Sequence, residues 1–270
     1  MMRLCVLIFS LSLSSATHAQ IVKDTLWNQS DNQGRKQGYW KKTNDQGVLL
    51  YKGFFKDDKP VGEFIRYYED SIPQSILIFD KTGSKAKVKL YYNDGNLAAE
   101  GNYINQQKDS VWKYYSYYTH LLVYSDSYKN GLKHGAETVY YENGQPFQIT
   151  QWVEGKKAGQ WIQYFPEGKI KAACTYENNT LHGSYHAYYS TGHPFLQGNY
   201  INGRKHGMWI YFNENGEKIS EIEYRAGIPL NLDELTEKEQ EFFKEIESSE
   251  GKYKDPDPSQ MRPVSRQTEE

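Results

Sequence analysis

Aromatic and small residues recur along this chain with a period of about 24 residues, and this spacing organises most of the sequence. Glycines that mostly close a G-x-x-x-G segment mark the period, at Gly38, Gly62, Gly135, Gly159, Gly183 and Gly207. Two weaker markers, Ala86 and Ser110, fill the gap after Gly62 if one inserted residue before Gly135 is allowed. Self-similarity at such a period is typical of a repeat architecture, so the sequence predicts about eight tandem units.

Aromatic rings stand two, five and seventeen residues after the markers in most units. The unit that starts at Gly207 has all three, at Trp209, Phe212 and Tyr224. Val88 and Glu137 replace the ring at the second position in units three and five, and we expect Glu137 to tolerate replacement by Trp. The column at the fifth position is the most regular: Tyr67, Tyr91, Tyr115, Tyr140, Tyr164 and Tyr188.

Each unit has the pattern of a β-hairpin. Dipeptides such as Asn143-Gly144 and Asn215-Gly216 are strong signals for a two-residue turn in which both residues take positive φ. The flanking segments are rich in Tyr, Trp, Ile and Val, which favour strands. We expect bulges or bends at 70–73 and 117–121, where the glycine turn is missing. The sequence therefore predicts an all-β fold, a single-layer antiparallel meander of tandem hairpins.

A turn at Asn215-Gly216 also fixes the register of its hairpin. Trp209 then lies opposite Ile222, and the same rule places Trp40 opposite Gly53. A large ring that covers a small residue pins the register of a sheet. Because side chains alternate along a strand, the ring columns at positions two and seventeen share one face, and the column at position five lies on the other.

The repeat resembles the MORN-variant repeat found in the bacterial YwqK-type family, whose members are named as antitoxins. The pattern Y-x-N-G-x-x-H-G-x-W-x-x-Y-x-x-N-G matches Tyr200 to Gly216 almost position by position, and 128–144 and 152–168 match more loosely. Units three and four depart from it because they lack the closing glycine. The resemblance implies an array of β-hairpins that acts as a scaffold, and it carries no catalytic residue to this chain.

The first 19 residues have the composition of a secretory signal peptide. A short basic start, an apolar run over 4–13 and a small-residue end at Ala19 predict cleavage near Ala19. The run is too short to span a membrane, and the sequence contains no second one. We therefore expect an exported protein, periplasmic or extracellular. Residues 20–33 are predicted to form an N-terminal cap on the repeat array, which extends over 34–230.

The sequence after the repeats predicts a capping helix and a polar tail. Thr236 and Glu239 form a capping box, and Leu235, Phe242, Phe243 and Ile246 form one apolar face of a helix within 231–250. Residues 251–270 are polar and contain three prolines, a composition typical of disorder. From Asn231 onward there are six basic and twelve acidic residues, so the array that precedes them is slightly basic, which excludes a nucleic-acid footprint.

Charges separate by loop type along the array. The loops between units carry nine basic residues, at Arg35, Lys36, Lys59, Lys108, Lys133, Lys156, Lys157, Arg204 and Lys205. The hairpin turns carry acidic residues instead, among them Asp94, Glu142 and Glu214. In a meander these two sets of loops lie on opposite long edges, so one edge is predicted to be basic and the other acidic. Solubility of the loops and attraction of an anionic partner are both compatible with this pattern.

The sequence contains no catalytic or cofactor motif. It lacks G-x-S-x-G, a phosphate loop, H-E-x-x-H and C-x-x-C. His134, His182 and His206 share one register but are two strands apart, about 10 Å, too far to share one zinc ion. Cys174 is alone once the signal peptide is removed, and its small-residue position favours a buried, inert thiol. We therefore expect neither a metal, a cofactor nor enzyme activity.

Two surfaces are candidates for binding. The first is the tyrosine column, which either packs across strands or offers an extended platform for a protein or a glycan. The second is the basic edge, represented by Lys156, Lys157, Arg204 and Lys205. The expected function is a protein-binding module or scaffold, and the alternative is binding of an extended glycan or an anionic envelope surface. The sequence does not define an oligomeric state.

Overall fold

The strands of this protein form one open antiparallel sheet. The computed structural model describes residues 26–230 together with Thr236, Glu237, Glu239 and Gln240, and in this part the sheet has 19 strands. Each strand except β14 pairs with the next in sequence, and β13 pairs with both β14 and β15. The predicted all-β meander is therefore confirmed. The strands are β1 Gln29–Ser30, β2 Lys36–Thr43, β3 Leu49–Lys56, β4 Lys59–Tyr67, β5 Pro73–Phe79, β6 Lys85–Tyr91, β7 Leu97–Ile104, β8 Gln107–Tyr115, β9 Leu122–Lys129, β10 Leu132–Tyr140, β11 Pro146–Val153, β12 Lys156–Tyr164, β13 Ile170–Glu177, β14 Thr180–Leu181, β15 Gly183–Tyr188, β16 Pro194–Ile201, β17 Arg204–Phe212, β18 Lys218–Arg225 and β19 Ile228–Pro229.

The two long edges of the sheet are built from two kinds of turn. At the N-G sites the loop has three residues: the amide of Asn213 donates to the carbonyl of Glu217, and the amide of Gly216 donates to the carbonyl of Asn213, both at 2.9 Å. Only Gly216 has a positive φ there, 82°. The prediction of a two-residue turn with two positive φ values was wrong for this edge. It describes the opposite edge, where Asn202 and Gly203 have φ of 49° and 76° and join β16 to β17.

One of the two expected irregular turns is irregular in the structure. The loop Tyr68–Ile72 has the same hydrogen bonds as the N-G loops, with Ser71 at φ 67° in the place of the glycine, so this turn has the same form as the N-G turns rather than an irregular one. The loop from Ser116 to Leu121 is longer than its equivalents. Its Ser116 amide donates to the Leu121 carbonyl, and the His120 amide donates to the Ser116 carbonyl.

The glycine markers of the repeat lie in β-bulges. Between the pairs Gln197–Ile210 and Asn199–His206, β17 has three residues where β16 has one. The marker Gly207 is one of the three and has φ 69°, which glycine adopts without the steric cost of a Cβ. Because two residues are extra, the alternation of faces is kept across the bulge. Ser110 also adopts a positive φ, 59°, whereas Ala86 lies in a regular ladder between β5 and β6.

The hydrophobic core lies on one face of the sheet, here called the core face. Trp112 and Trp209 are completely buried, and each lies in a local cluster, formed by units two to four around Trp112 and by units seven and eight around Trp209. Tyr185, Tyr200 and Tyr224 pack around Trp209 at ring distances of 5.0–6.2 Å. The predicted register is confirmed by the pairs Trp209–Ile222 and Trp40–Gly53.

The ring that covers a small residue comes from the next hairpin rather than from the same one. A Cβ on Gly53 would lie 2.3 Å from the ring of Phe64, and one on Gly198 would lie 2.3 Å from the ring of Trp209. Gly101 has the same relation to Trp112. This contact therefore joins neighbouring repeats across the bulge, where the sequence analysis placed it within a hairpin.

A second set of tyrosines, one residue after the predicted column, links four pairs of neighbouring units. The hydroxyls of Tyr68, Tyr92, Tyr141 and Tyr189 each donate to the backbone carbonyl of the residue 23 positions later, at 2.7–2.8 Å. These bonds tie neighbouring three-residue loops together. These bonds were not predicted from the sequence, although the Tyr-Tyr pairs that precede the turns were a visible signal.

Removal of one such hydroxyl tests this link. We expect Tyr189→Phe to lower the free energy of unfolding by about 1 kcal/mol, because the carbonyl of Phe212 loses its donor. Tyr117→Phe is the matched control, because that tyrosine is exposed in its loop and should cost nothing measurable. Denaturant melts of the two variants beside the wild type measure the difference. An equal loss of stability in both would contradict a role of the Tyr189 hydroxyl in linking neighbouring units.

The ends of the described array are covered by short segments. Strand β1 pairs with β2 through Gln29 and Ser30, and the ring of Trp27 packs on Tyr39 at 5.8 Å. At the other end β19 pairs with β18. The amide of Thr236 donates to the carboxylate of Glu239 at 2.8 Å, and the amide of Glu239 donates to the hydroxyl of Thr236 at 3.3 Å, as the capping box predicts. The rest of the predicted helix, the signal peptide, the start of the cap and the tail at 251–270 lie outside the described residues.

Candidate binding surfaces

The six predicted tyrosines form one row on the face opposite the core face. This Tyr row consists of Tyr67, Tyr91, Tyr115, Tyr140, Tyr164 and Tyr188, all of them half-buried. Tyr114 is buried in the core cluster, so the adjacent Tyr115 points to the other side of the sheet. Its hydroxyl donates to Glu100 at 2.9 Å, and Glu100 also approaches Lys113 at 3.6 Å.

The Tyr row runs beside the edge formed by the three-residue loops. Each tyrosine is the last residue of its strand and faces the first residue of the next, which is Pro73, Pro146 and Pro194 opposite Tyr67, Tyr140 and Tyr188. Leu or Ile takes that place opposite the other three tyrosines. Successive tyrosines are two strands apart, about 10 Å. The arrangement is therefore a strip of rings and rigid apolar residues that follows the length of the sheet.

The four predicted basic residues divide between two environments. Lys157 and Lys205 lie on the core face, with the ammonium of Lys157 at 5.2 Å from the ring of Tyr176 and that of Lys205 at 4.4 Å from the ring of Trp209. Burial lowers the pKa of Lys205. Lys156 and Arg204 are exposed at the turns. Of the four residues predicted for the basic edge, only Lys156 and Arg204 are therefore exposed there.

The same cation–ring contact recurs along the array. Lys36, Lys108 and Lys133 occupy the register position of Lys157 and Lys205, and each ammonium lies within 5.0 Å of an aromatic centroid. Such contacts are stabilising when they are partly desolvated. Five of the nine loop cations therefore support the core face, and their periodic occurrence has a structural cause that the sequence analysis did not find.

Units four and five contain a charged cluster on the core face. Asp126 is 3% exposed, and its carboxylate accepts hydrogen bonds from Tyr124 at 2.7 Å and Tyr128 at 3.0 Å. The ammonium of Lys133 bridges Asp126 at 3.0 Å and Glu137 at 2.5 Å. Burial and the charge of Asp126 raise the pKa of Tyr128 to about 12. This network is here called the ionic cluster. Its Glu137 and Asp126 occupy the positions at which most other units have a ring and a small residue.

The ionic cluster contradicts the expectation that Glu137 would tolerate replacement by Trp. Glu137 has partners in Lys133 and in the hydroxyl of Tyr124, at 3.0 Å. Two unusual residues marked the cluster in the sequence. Glu137 stands where the other units mostly have a ring, and Asp126 stands where they mostly have a small residue. Only the structure shows that the two positions are neighbours.

No reactive group of the described residues has an arrangement typical of catalysis. Cys174 is buried opposite Trp161, and burial raises the pKa of its thiol to about 11, which disfavours the nucleophilic thiolate. Within the described part of the chain, no three His, Cys, Asp or Glu side chains are placed to hold a metal ion. The same residues contain no helix that is long and apolar enough to cross a membrane.

Comparison with solved structures gives only weak likenesses. TarM from S. aureus, in complex with Fondaparinux, alpha-GlcNAc-glycerol and UDP, is 9% identical over 44% of this chain and 21% of its own, with a TM-score of 0.28. The pneumococcal O-GlcNAc transferase GtfA is 17% identical over 36% of this chain and 19% of its own, with a TM-score of 0.25. A protein with unknown function from Bacteroides fragilis is 8% identical over 73% of this chain and 97% of its own, with a TM-score of 0.12. This chain spans about a fifth of the length of the first two proteins. Likenesses at these scores carry no argument about activity.

Comparison of sequences identifies the repeat. None of the curated proteins matches the chain. A protein family does match it in four segments, at 86–105, 133–154, 157–178 and 205–226. Each segment contains two strands and the three-residue loop that joins them, so the match follows the structural period. These four repeats of the chain match the MORN repeat variant.

Proposed function

We propose that this chain is an exported, non-enzymatic repeat protein that binds another protein along its Tyr row. The observation that carries the proposal is the placement of six half-buried tyrosines in one register on the face opposite the core. Tyrosine combines a large contact area with a polar tip, and extended repeat surfaces are suited to binding. Export is part of the proposal because the first 19 residues have the composition of a signal peptide.

The distribution of the basic residues supports the Tyr row over the basic edge. Lys157 and Lys205 already contact rings of the core face, so a partner would meet mainly Lys156 and Arg204. None of the six tyrosines of the Tyr row belongs to the clusters around Trp112 and Trp209, so their rings are not committed to those clusters. A scaffold function also agrees with the resemblance to the YwqK-type family. Binding of an extended glycan by the same row is the alternative.

The test compares two sets of substitutions in the full mature chain. Tyr140, Tyr164 and Tyr188 changed together to Ser should abolish capture of the partner from envelope extract, with little dependence on salt, because ring contacts are largely apolar. Lys156 and Arg204 changed to Ser form the matched control and should leave capture nearly unchanged. Thermal melts of both variants must first show that the array is folded.

The outcomes separate the candidates. If capture by the wild type falls steeply with salt and the Lys156 and Arg204 variant fails, the basic edge is the binding surface, because exposed charges are screened within about 8 Å at physiological ionic strength. Recognition of one sugar class on a glycan array without a captured protein would favour the glycan alternative. Capture that survives both variants would contradict the Tyr row and the basic edge together.

A further inference from the structure

The core face has an open groove in the first two units. The groove has a volume of about 320 Å³ and is lined by four rings, two apolar side chains and two cationic ones: Tyr51, Phe55, Phe64, Phe79, Pro60, Leu77, Lys36 and Arg66. Tyr51 stacks on Phe64 at 5.3 Å, and Phe55 and Phe79 meet Phe64 edge-on at 5.9 and 6.5 Å. The volume falls in the range of small-molecule sites, which are mostly apolar with a few polar groups.

The repeat explains why the groove is open at this place. Phe64 and Arg66 occupy the register positions that Trp112 and Tyr114 have in unit four and that Trp209 and Tyr211 have in unit eight. In those units the larger rings are buried and close the core face. Unit two has a smaller ring and a cation that extends into solvent. The same backbone therefore leaves a space here that other units fill.

The charge of the groove is positive. The ammonium of Lys36 lies over the rings of Trp40 and Phe55 at 4.9 and 5.0 Å. Arg66 is exposed, and among residues 26–230 no carboxylate forms an ion pair with its guanidinium. None of the residues that line the groove is acidic. A guanidinium beside an apolar wall is suited to a carboxylate or another planar anion, which it binds through two hydrogen bonds.

We propose that this groove binds a small organic anion with a flat apolar body, such as an aromatic carboxylate. The flat body lies on the rings of Phe64 and Tyr51, and the anionic group lies toward Arg66 and Lys36. Charge complementarity and the volume of about 320 Å³ select this ligand class over a neutral or extended one. The site lies on the face opposite the Tyr row, so it goes beyond the proposed function and does not depend on it.

The test uses 2-naphthoate as the probe with the full mature chain, and 2-naphthamide as its neutral analogue. Isothermal titration and ligand-observed nuclear magnetic resonance should show saturable binding of 2-naphthoate. Binding of the neutral analogue should be at least about tenfold weaker, because it lacks the charge-assisted contact. Arg66→Gln should weaken the binding of 2-naphthoate by a similar factor and leave the binding of 2-naphthamide unchanged. Lys89→Gln is the matched control, because Lys89 is exposed on the other face of the sheet.

A second variant fills the groove with residues that the repeat already uses. Phe64→Trp combined with Arg66→Tyr reproduces the pair of units four and eight, and Gly53 beneath position 64 provides the space that Gly101 and Gly198 provide there. This double variant should fold at least as stably as the wild type and lose the probe. The proposal is overturned if 2-naphthoate fails to bind the wild type at millimolar concentration. It is also overturned if the folded double variant binds 2-naphthoate as tightly as the wild type does, or if the wild type binds 2-naphthamide as tightly as 2-naphthoate.

Discussion

Replacement of Glu137 by Trp should lower the free energy of unfolding by about 3–5 kcal/mol, a typical loss when one partner of a buried ion pair is removed. The substitution leaves Asp126, which is 3% exposed, and Lys133 without the second carboxylate that completes the ionic cluster. The larger ring would also meet the carboxylate of Asp126 where other units offer a small residue. Urea melts of the variant and the wild type measure the loss.

A double variant separates the chemistry of the cluster from a general intolerance of position 137. Asp126→Gly together with Glu137→Trp recreates the ring over glycine that Trp112 forms with Gly101. We expect it to recover most of the stability that either single substitution loses. A double-mutant cycle should therefore show a coupling of at least about 1 kcal/mol. If the two losses simply add, positions 126 and 137 do not interact as described.

Gly198→Val should destabilise the last units by about 3 kcal/mol, the upper part of the range for overpacking. A Cβ at this position would lie 2.3 Å from Cδ2 and 2.4 Å from Cε2 of Trp209, which is completely buried and has no free space to move into. Gln197→Val is the matched control, because the neighbouring side chain points to the opposite face and should cost less than about 1 kcal/mol. Thermal melts check both, and an unchanged melting temperature for Gly198→Val would contradict the ring contact.

The strand pattern and the register were predictable because both follow from local rules. The N-G sites predicted that Trp209 pairs with Ile222. The alternation of faces predicted that Tyr115 lies on the face away from the core, and the structure shows both. The kind of turn at each edge was not predictable. Asn-Gly is compatible with a two-residue and with a three-residue loop, and the choice depends on how the strands pair before the turn.

Contacts between neighbouring units were the part that the sequence did not reveal. The bulge at Gly207 contains two extra residues, and Trp209 covers Gly198 of the preceding hairpin rather than the residue opposite it in its own. The equivalent bulge at Gly135 brings Asp126 and Glu137 together in the ionic cluster. The groove at Phe64 is open because unit two has a smaller ring and a cation at positions where units four and eight have Trp and Tyr. These features depend on three-dimensional neighbours that are about 11 residues apart, which a hairpin register alone does not define.

The two buried tryptophans also determine how the chain unfolds. Apart from the contact of β13 with β15, each strand pairs with a sequence neighbour, and the clusters around Trp112 and Trp209 share no residue. Stability in such an array is a sum over adjacent units, so one end can lose its order while the other keeps it. Amide hydrogen exchange should therefore resolve at least two cooperative regions along its length, and each substitution should lower the stability mainly of the region that contains it.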